Sequence, residues 1–229
     1  MKILPLFLAL ISPALAGEPN QLSPEEKAAG FKLLFDGKTS EGWRGYKKDG
    51  FPEGWKVENG ALTVTKGGGN LITKDQLKDF EFRFEFKISE NGNSGIMWRV
   101  AETDGAPYMT GPEYQILDGH GKTGYANEIA KGNVSGAFYD FVPSKVEWCK
   151  PAAEWNEGSI KVQGTKVTLT VNGHVSAEVD TASDDWKQKL AKSKFASWPR
   201  FAREPQGFLC LQEHGDTVSF RSMRVKVLE

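Results

Sequence analysis

Cysteine and histidine are scarce in this chain: two Cys and three His among 229 residues. Two cysteines cannot build a disulfide scaffold, and no Cys/His spacing suits a structural zinc site. Cys149 and Cys210 leave room for one disulfide in an oxidising compartment, but sequence does not set their separation. An excess of one charge is also missing. The 29 basic and 30 acidic residues leave a formal net charge of -1, with no basic block, so nucleic acid is not an expected partner. No Gly-x-Ser-x-Gly element is present, which leaves a Ser-His-Asp hydrolase without support. Gly67-Gly68-Gly69-Asn70 lacks a Walker Lys-Ser/Thr and a following helix, so it reads as a loop and not a phosphate cradle. Internal repeats, linkers and low-complexity segments are absent, and nothing sets an oligomeric state.

The N-terminus carries an export signal. Lys2 supplies the charge, Ile3 to Ile11 an apolar run broken by Pro5, and Ala14-Leu15-Ala16 a small-residue cleavage site before Gly17. Residues 1–16 are therefore expected to be a cleavable signal peptide and the protein to be secreted or periplasmic. The run is too short to span a bilayer, no Cys follows it to carry a lipid, and no later segment is apolar enough to be transmembrane. No membrane association is expected. Residues 17–229 suit one β-sandwich domain. Phe80, Phe82, Phe84, Phe86 and Ile88 alternate with Glu81, Arg83, Glu85 and Lys87, the pattern of a strand with one face in a core. Asn59-Gly60 and Asn172-Gly173 mark hairpins. Ser23-Pro24-Glu25-Glu26 and Ser183-Asp184-Asp185 start short helices. Seven Trp and 14 Phe furnish a core with rings to spare for stacking on a ligand.

Two strands carry chemistry on their polar sides. In Gly111 to Asp118, Tyr114 and Ile116 point one way, Glu113 and Gln115 the other. In Gly207 to Gly215, Leu209 and Leu211 share one face and Gln212 and His214 the other. Amide, carboxylate and imidazole groups along a sheet suit a carbohydrate, whose surface is mostly hydroxyls. Strict alternation also puts Arg99 on the face of Met97. Glu154 and Asn156 flank Trp155 and could converge on a sugar, with Lys150 as an electrostatic helper. Each has a plainer reading: salt bridges for Glu113 and Arg99, a turn cap for Asp118, a strand edge around Trp155, a structural role for His214. His120 and His174 read as exposed loop and hairpin residues.

An ordered set of motifs then resembles one family, the 3-keto-disaccharide hydrolase domain. It comprises Leu34-Phe35-Asp36-Gly37-Lys38-Thr39 with Gly42-Trp43, Gly92-Asn93-Ser94-Gly95-Ile96, Gly111 to Asp118, and Lys150-Pro151-Ala152-Ala153-Glu154-Trp155-Asn156. Val171-Asn172-Gly173, Ser193-Lys194-Phe195, Leu211-Gln212-Glu213-His214-Gly215, and Val218 with Phe220-Arg221 complete it. The segment Tyr125 to Asn133 does not match strongly. The resemblance implies an all-β, concanavalin-like jelly roll with short peripheral helices, a site on its concave sheet, and action on glycosides whose C3 is a ketone.

That ketone makes the C2 hydrogen acidic, so a base can remove it and the enolate can expel the C1 substituent; water can then add back. The route needs a base, an enolate stabiliser and ring-orienting donors. The expected base is His214 or Glu113, and the expected stabiliser Arg99 or Lys150. Gln115, Asp118, Glu154, Asn156 and Gln212 are expected to orient hydroxyls. No cofactor is identified; Glu113, Asp118 and His214 form an alternative set for one divalent metal cation. The rival classes are a non-catalytic carbohydrate-binding module and a sandwich used for protein contacts. The first would need fewer ionisable groups; the second would expose an apolar patch.

Overall fold

The computed structural model describes residues 18–103, 105–121 and 124–228; the expected export signal, residues 1–16, lies outside them. Among the described residues run thirteen strands: β1 (Lys32–Leu33), β2 (Trp43–Gly45), β3 (Trp55–Glu58), β4 (Ala61–Val64), β5 (Leu71–Thr73), β6 (Phe80–Ile88) and β7 (Asn93–Val100). They continue as β8 (Glu113–Leu117), β9 (Asn156–Gln163), β10 (Lys166–Val171), β11 (His174–Asp180), β12 (Phe208–Leu211) and β13 (Val218–Val227). The eight-stranded sheet has the order β11-β10-β9-β6-β13-β4-β3, with β1 also on β13; the five-stranded sheet has the order β2-β5-β12-β7-β8. Every pairing is antiparallel. The result is a jelly-roll sandwich with a few short helices, α1 (Pro24–Ala28), α2 (Ala126–Ala130) and α3 (Asp184–Lys192). No helix among the described residues is long and apolar enough to cross a membrane.

Local chemistry explains these elements. β6 alternates buried and half-buried residues along its whole length, as its sequence does. Asn59-Gly60 and Asn172-Gly173 both have positive φ at their two positions, the geometry a two-residue hairpin needs. Ser23 and Glu26 form a complete capping box on α1, and the Ser183 hydroxyl accepts from Trp186 N on α3. Phe80, Phe82, Phe84 and Phe86 meet Ile96, Trp98, Tyr114 and Ile116 between the sheets.

The face of the five-stranded sheet turned away from this core is divided. On one half Ile72, Met97, Val100, Phe208 and Cys210 form a second apolar cluster, packed by Tyr46. Arg44 lies 5.0 Å above the Phe208 ring and pairs with Glu102 at 2.7 Å. Apolar side chains seal that half. The other half, at β8 and the end of β12, carries polar side chains and holds the site. Cys149 and Cys210 are both buried free thiols, so no disulfide joins them.

Candidate active site

A pocket of about 360 Å³ opens on that polar half. Because β8 keeps strict alternation, Tyr114 and Ile116 enter the core while Glu113 and Gln115 line the pocket. Gln212 and His214, just beyond β12, line it as well. Glu113 stands opposite Met97, and Gln115 opposite Gly95. Gly95 makes room for the carboxylate: a methyl group there would collide with Glu113 Oε1. Gln115 Nε2 donates to Asn93 Oδ1 (3.3 Å). Gln212 is held by its main chain, N to Gly95 O (2.9 Å) and Ser94 Oγ to its carbonyl (2.8 Å). Its side-chain Oε1 is buried without a hydrogen-bond partner among the described residues, an acceptor that a sugar hydroxyl would satisfy.

Loops complete the wall. Residues 136–139 run along the free edge of β8, with Gly136 N on Gln115 O (3.0 Å) and Tyr139 N on Glu113 O (3.1 Å). This places Tyr139 beside Glu113. Lys194 opens the 3-10 turn Lys194–Ser197. Its Nζ donates to Tyr139 Oη (2.9 Å) and pairs with Asp140 Oδ2 (3.2 Å). Since Tyr139 Oη accepts from a cation, its own O–H hydrogen is free to point at a substrate oxygen. Glu213 accepts from Gly67 N (3.2 Å), Gly69 N (3.3 Å) and Gly215 N (2.8 Å), while its own N donates to Asn70 Oδ1 (3.0 Å). The glycine loop is thereby pinned over the end of β12, with Asn70 in the pocket wall.

The two carboxylates of the pocket differ in their surroundings. Desolvation raises the Glu113 pKa from 4.5 to about 8; Asp140 adds to the rise, and Lys194 and a hydrogen bond from Gln212 oppose it. Glu213, with three main-chain donors, is instead a structural anchor. Partial burial acts against the Lys194 charge, but Tyr139 and Asp140 outweigh it and its pKa is raised, so it stays cationic. His214 is exposed at the rim, where Tyr125 Oη lies 3.5 Å from its Nδ1 and the two rings meet edge to face at 6.3 Å. Partial burial raises the pKa of the Tyr125 hydroxyl, and Asn93 opposes the rise. Tyr125 opens the segment whose motifs do not match the family strongly.

Five expected site residues lie elsewhere. Arg99 does not share the face of Met97, because a bulge intervenes. Val100 pairs with Phe208 and Met97 with Cys210, leaving Trp98 and Arg99 opposite Leu209 alone. With φ of 51°, Arg99 turns its guanidinium to Lys78 O (2.9 Å), Asp79 Oδ1 (3.0 Å) and Gly164 O (3.1 Å). Asp118 caps a turn, accepting from His120 N (3.1 Å) and Asn91 N (2.9 Å). Asn156 opens β9, in the other sheet, and Lys150 and Glu154 lie in the loop that leads into it. Asn156 Oδ1 accepts from Lys150 N (2.8 Å) and Asn172 Nδ2 (2.7 Å), Lys150 Nζ donates to Trp155 O (2.9 Å), and Glu154 is solvated. Trp155 itself is half-buried beneath the Arg221 guanidinium (4.1 Å), which pairs with Glu85. The cation set Glu113, Asp118 and His214 is not assembled, and no other trio of His, Cys, Asp or Glu stands in its place among the described residues.

Sequence reasoning missed Lys194, Tyr139, Asn70 and Asn93 as pocket groups, and Tyr125 as the neighbour of His214. The one trace of Lys194 was its place in Ser193-Lys194-Phe195.

Known proteins give this site a context. The chain is 33% identical to the 3-keto-disaccharide hydrolase of Bacteroides thetaiotaomicron, over 93% of this chain and 84% of that protein. A crystallised Parabacteroides distasonis protein with a provisional glycosyl hydrolase name superposes with a TM-score of 0.84 at 30% identity, covering 93% of this chain and 100% of that one. The carbohydrate-binding module CBM66 of Bacillus subtilis shares the fold alone, with a TM-score of 0.51 and 10% identity over 80% of this chain and 94% of its own. The profile of the 3-keto-alpha-glucoside-1,2-lyase-like domain matches residues 30–226. The chain belongs to that domain family.

Proposed function

We propose that this protein cleaves the glycosidic bond of 3-keto-glycosides by removing the C2 proton and expelling the C1 substituent, with Glu113 as the base. The observation that carries this reading is one pocket joining a carboxyl of pKa about 8 to a lysine-supported tyrosine hydroxyl. A base works best when its pKa lies near the working pH. Glu113 takes the C2 proton, and the C–H electron pair becomes the C2–C3 double bond of an enolate. Its oxygen, the former C3 carbonyl, accepts from Tyr139 O–H beside the Lys194 charge. The enolate collapses, the C1–O bond breaks, and the departing oxygen takes a proton from His214 at the rim. Water added across the resulting C1=C2 bond gives net hydrolysis; release without water gives the lyase product. Gln115, Gln212 and Asn93 orient the ring hydroxyls. A binding module would gain nothing from a carboxyl held near neutral pKa beside a cation.

The export signal supports placing the mature chain, beginning at Gly17, in the periplasm or outside the cell.

In deuterated water the protein is expected to release a keto sugar carrying deuterium at C2, under conditions where the unreacted ketone does not exchange. The unoxidised disaccharide is expected to remain intact. Full retention of the original C2 hydrogen would exclude elimination. Comparable cleavage of the unoxidised sugar would point to a conventional pair of carboxyl groups instead.

A further inference from the structure

Two aromatic rings at the pocket mouth take no part in the proton chemistry. Tyr108 is 44% exposed, and the half-buried Trp198 packs on it at 5.3 Å with the planes tilted by 42°. Both line the pocket that Glu113 lines. We propose that Tyr108 and Trp198 form the platform that selects the leaving group, by receiving the second pyranose ring of a 3-keto-disaccharide. The proposal rests on the 3-keto-glycoside reading above and names the residues that would recognise the leaving sugar.

Three observations carry it. The first is position. One short turn supplies both ends of the site: Lys194 begins it, and Trp198 is the residue that caps it. The cation therefore acts on the keto ring while the indole meets whatever that ring is attached to. The second is rigidity. Tyr108 lies in the 3-10 turn Pro107–Met109, where Pro107 fixes the backbone at its first position. The buried Thr110 hydroxyl ties that turn to Ala101 N (3.0 Å) and Pro107 O (3.2 Å). Ala202 N then donates to Thr110 O (2.9 Å), joining this turn to the loop that follows Trp198. Phe195 supports the indole from a further side at 5.4 Å. Both rings are held before any ligand arrives, so little conformational freedom is lost on binding.

The third is chemistry. A pyranose ring presents a face of C–H groups and a rim of hydroxyls. The rings offer a surface for the face, and Asn70 and His214 in the same lining offer partners for the rim. A methyl leaving group would engage neither set, and an aryl group only the rings.

The test compares substrates with one keto sugar and different leaving groups: a 3-keto-disaccharide, a methyl 3-keto-glucoside and a phenyl 3-keto-glucoside. Wild-type protein is expected to prefer the disaccharide in kcat/KM. Trp198→Ala is expected to lose about tenfold on the disaccharide, a typical aromatic contact, and under about twofold on the methyl glycoside. Trp198→Phe should recover most of the loss. No wild-type preference, or equal losses on disaccharide and methyl glycoside, overturns the proposal. A larger loss on the phenyl glycoside than on the disaccharide overturns the assignment to a sugar. A second arm needs no turnover: calorimetric binding of the unoxidised disaccharide and of methyl glucoside to wild-type and Trp198→Ala protein. The disaccharide is expected to bind more tightly, and the substitution to erase the difference. If no keto compound is cleaved but this pattern holds, the catalytic reading fails and the platform stands. If cleavage is intact and wild-type protein binds both ligands equally, the platform alone fails.

Discussion

Glu113→Gln is expected to lower kcat/KM on a 3-keto-glycoside by about 10²–10⁴-fold, the contribution of a positioned general base. The amide keeps the size of the carboxyl and fits the space that Gly95 leaves open. It cannot accept a proton from carbon. With its pKa raised to about 8, Glu113 in wild-type protein is mostly protonated at neutral pH. Activity should therefore rise with pH up to about 8 and level off, and the variant should lack that rise. Stability moves the opposite way. The folded carboxyl holds its proton up to about 8, whereas the unfolded one loses it near 4.5. The folded state then binds more protons between those values, so its stability falls as pH rises through that window. Gln carries no such penalty. The variant should be more resistant to unfolding than wild type at pH 8, by on the order of 2–4 kcal/mol, and nearly equal to it at pH 4. A dead enzyme with this added stability would be catalytically disabled and not misfolded. Unchanged turnover would return the base role to His214.

The sequence reached as far as its periodicity did. Alternation along Phe80 to Ile88 and the two Asn-Gly turns hold in the structure because nothing interrupts their backbone pattern. Glu113 and Gln115 share the pocket with Gln212 and His214 for the same reason. Arg99 was lost to one extra residue, since a bulge moves the side chain that follows it to a new direction. Asp118 and Asn156 have the polarity of ligand groups but spend it on nearby main-chain groups, a use that pattern does not distinguish from binding. Lys194 and Tyr139 come from a 3-10 turn and an edge segment. Neither has a period to read, and only the folded chain brings them together at 2.9 Å.

Phe84→Ala is expected to cost about 3–5 kcal/mol of unfolding free energy, the range for truncating a core aromatic. Phe84 lies in the middle of β6 and is 1% exposed. Its ring packs on Phe82 at 5.1 Å and meets Tyr114 edge to face at the same distance. Across the ladder it pairs with Gly158, so no side chain on that strand can fill the space it vacates. A methyl group at Gly158 would itself sit 2.8 Å from Tyr114 Oη, so the glycine is required to admit both rings. Relaxation into the cavity is therefore limited, which favours the upper part of the range. For a chain of this size the loss corresponds to a melting temperature lower by about 6–20 °C. An unchanged unfolding midpoint would show that the alternating face of β6 is not the core. The same substitution bears on the site, because Tyr114 is the residue between Glu113 and Gln115. Its hydroxyl reaches across the sandwich to Thr170 O (3.0 Å), anchoring β8 to the opposite sheet. Once its Phe84 neighbour is gone, Tyr114 has room to shift and to carry Glu113 with it. Folded Phe84→Ala protein, assayed well below its melting temperature, should lose part of its activity. Phe84→Leu, which refills most of the cavity, should lose less of both stability and turnover.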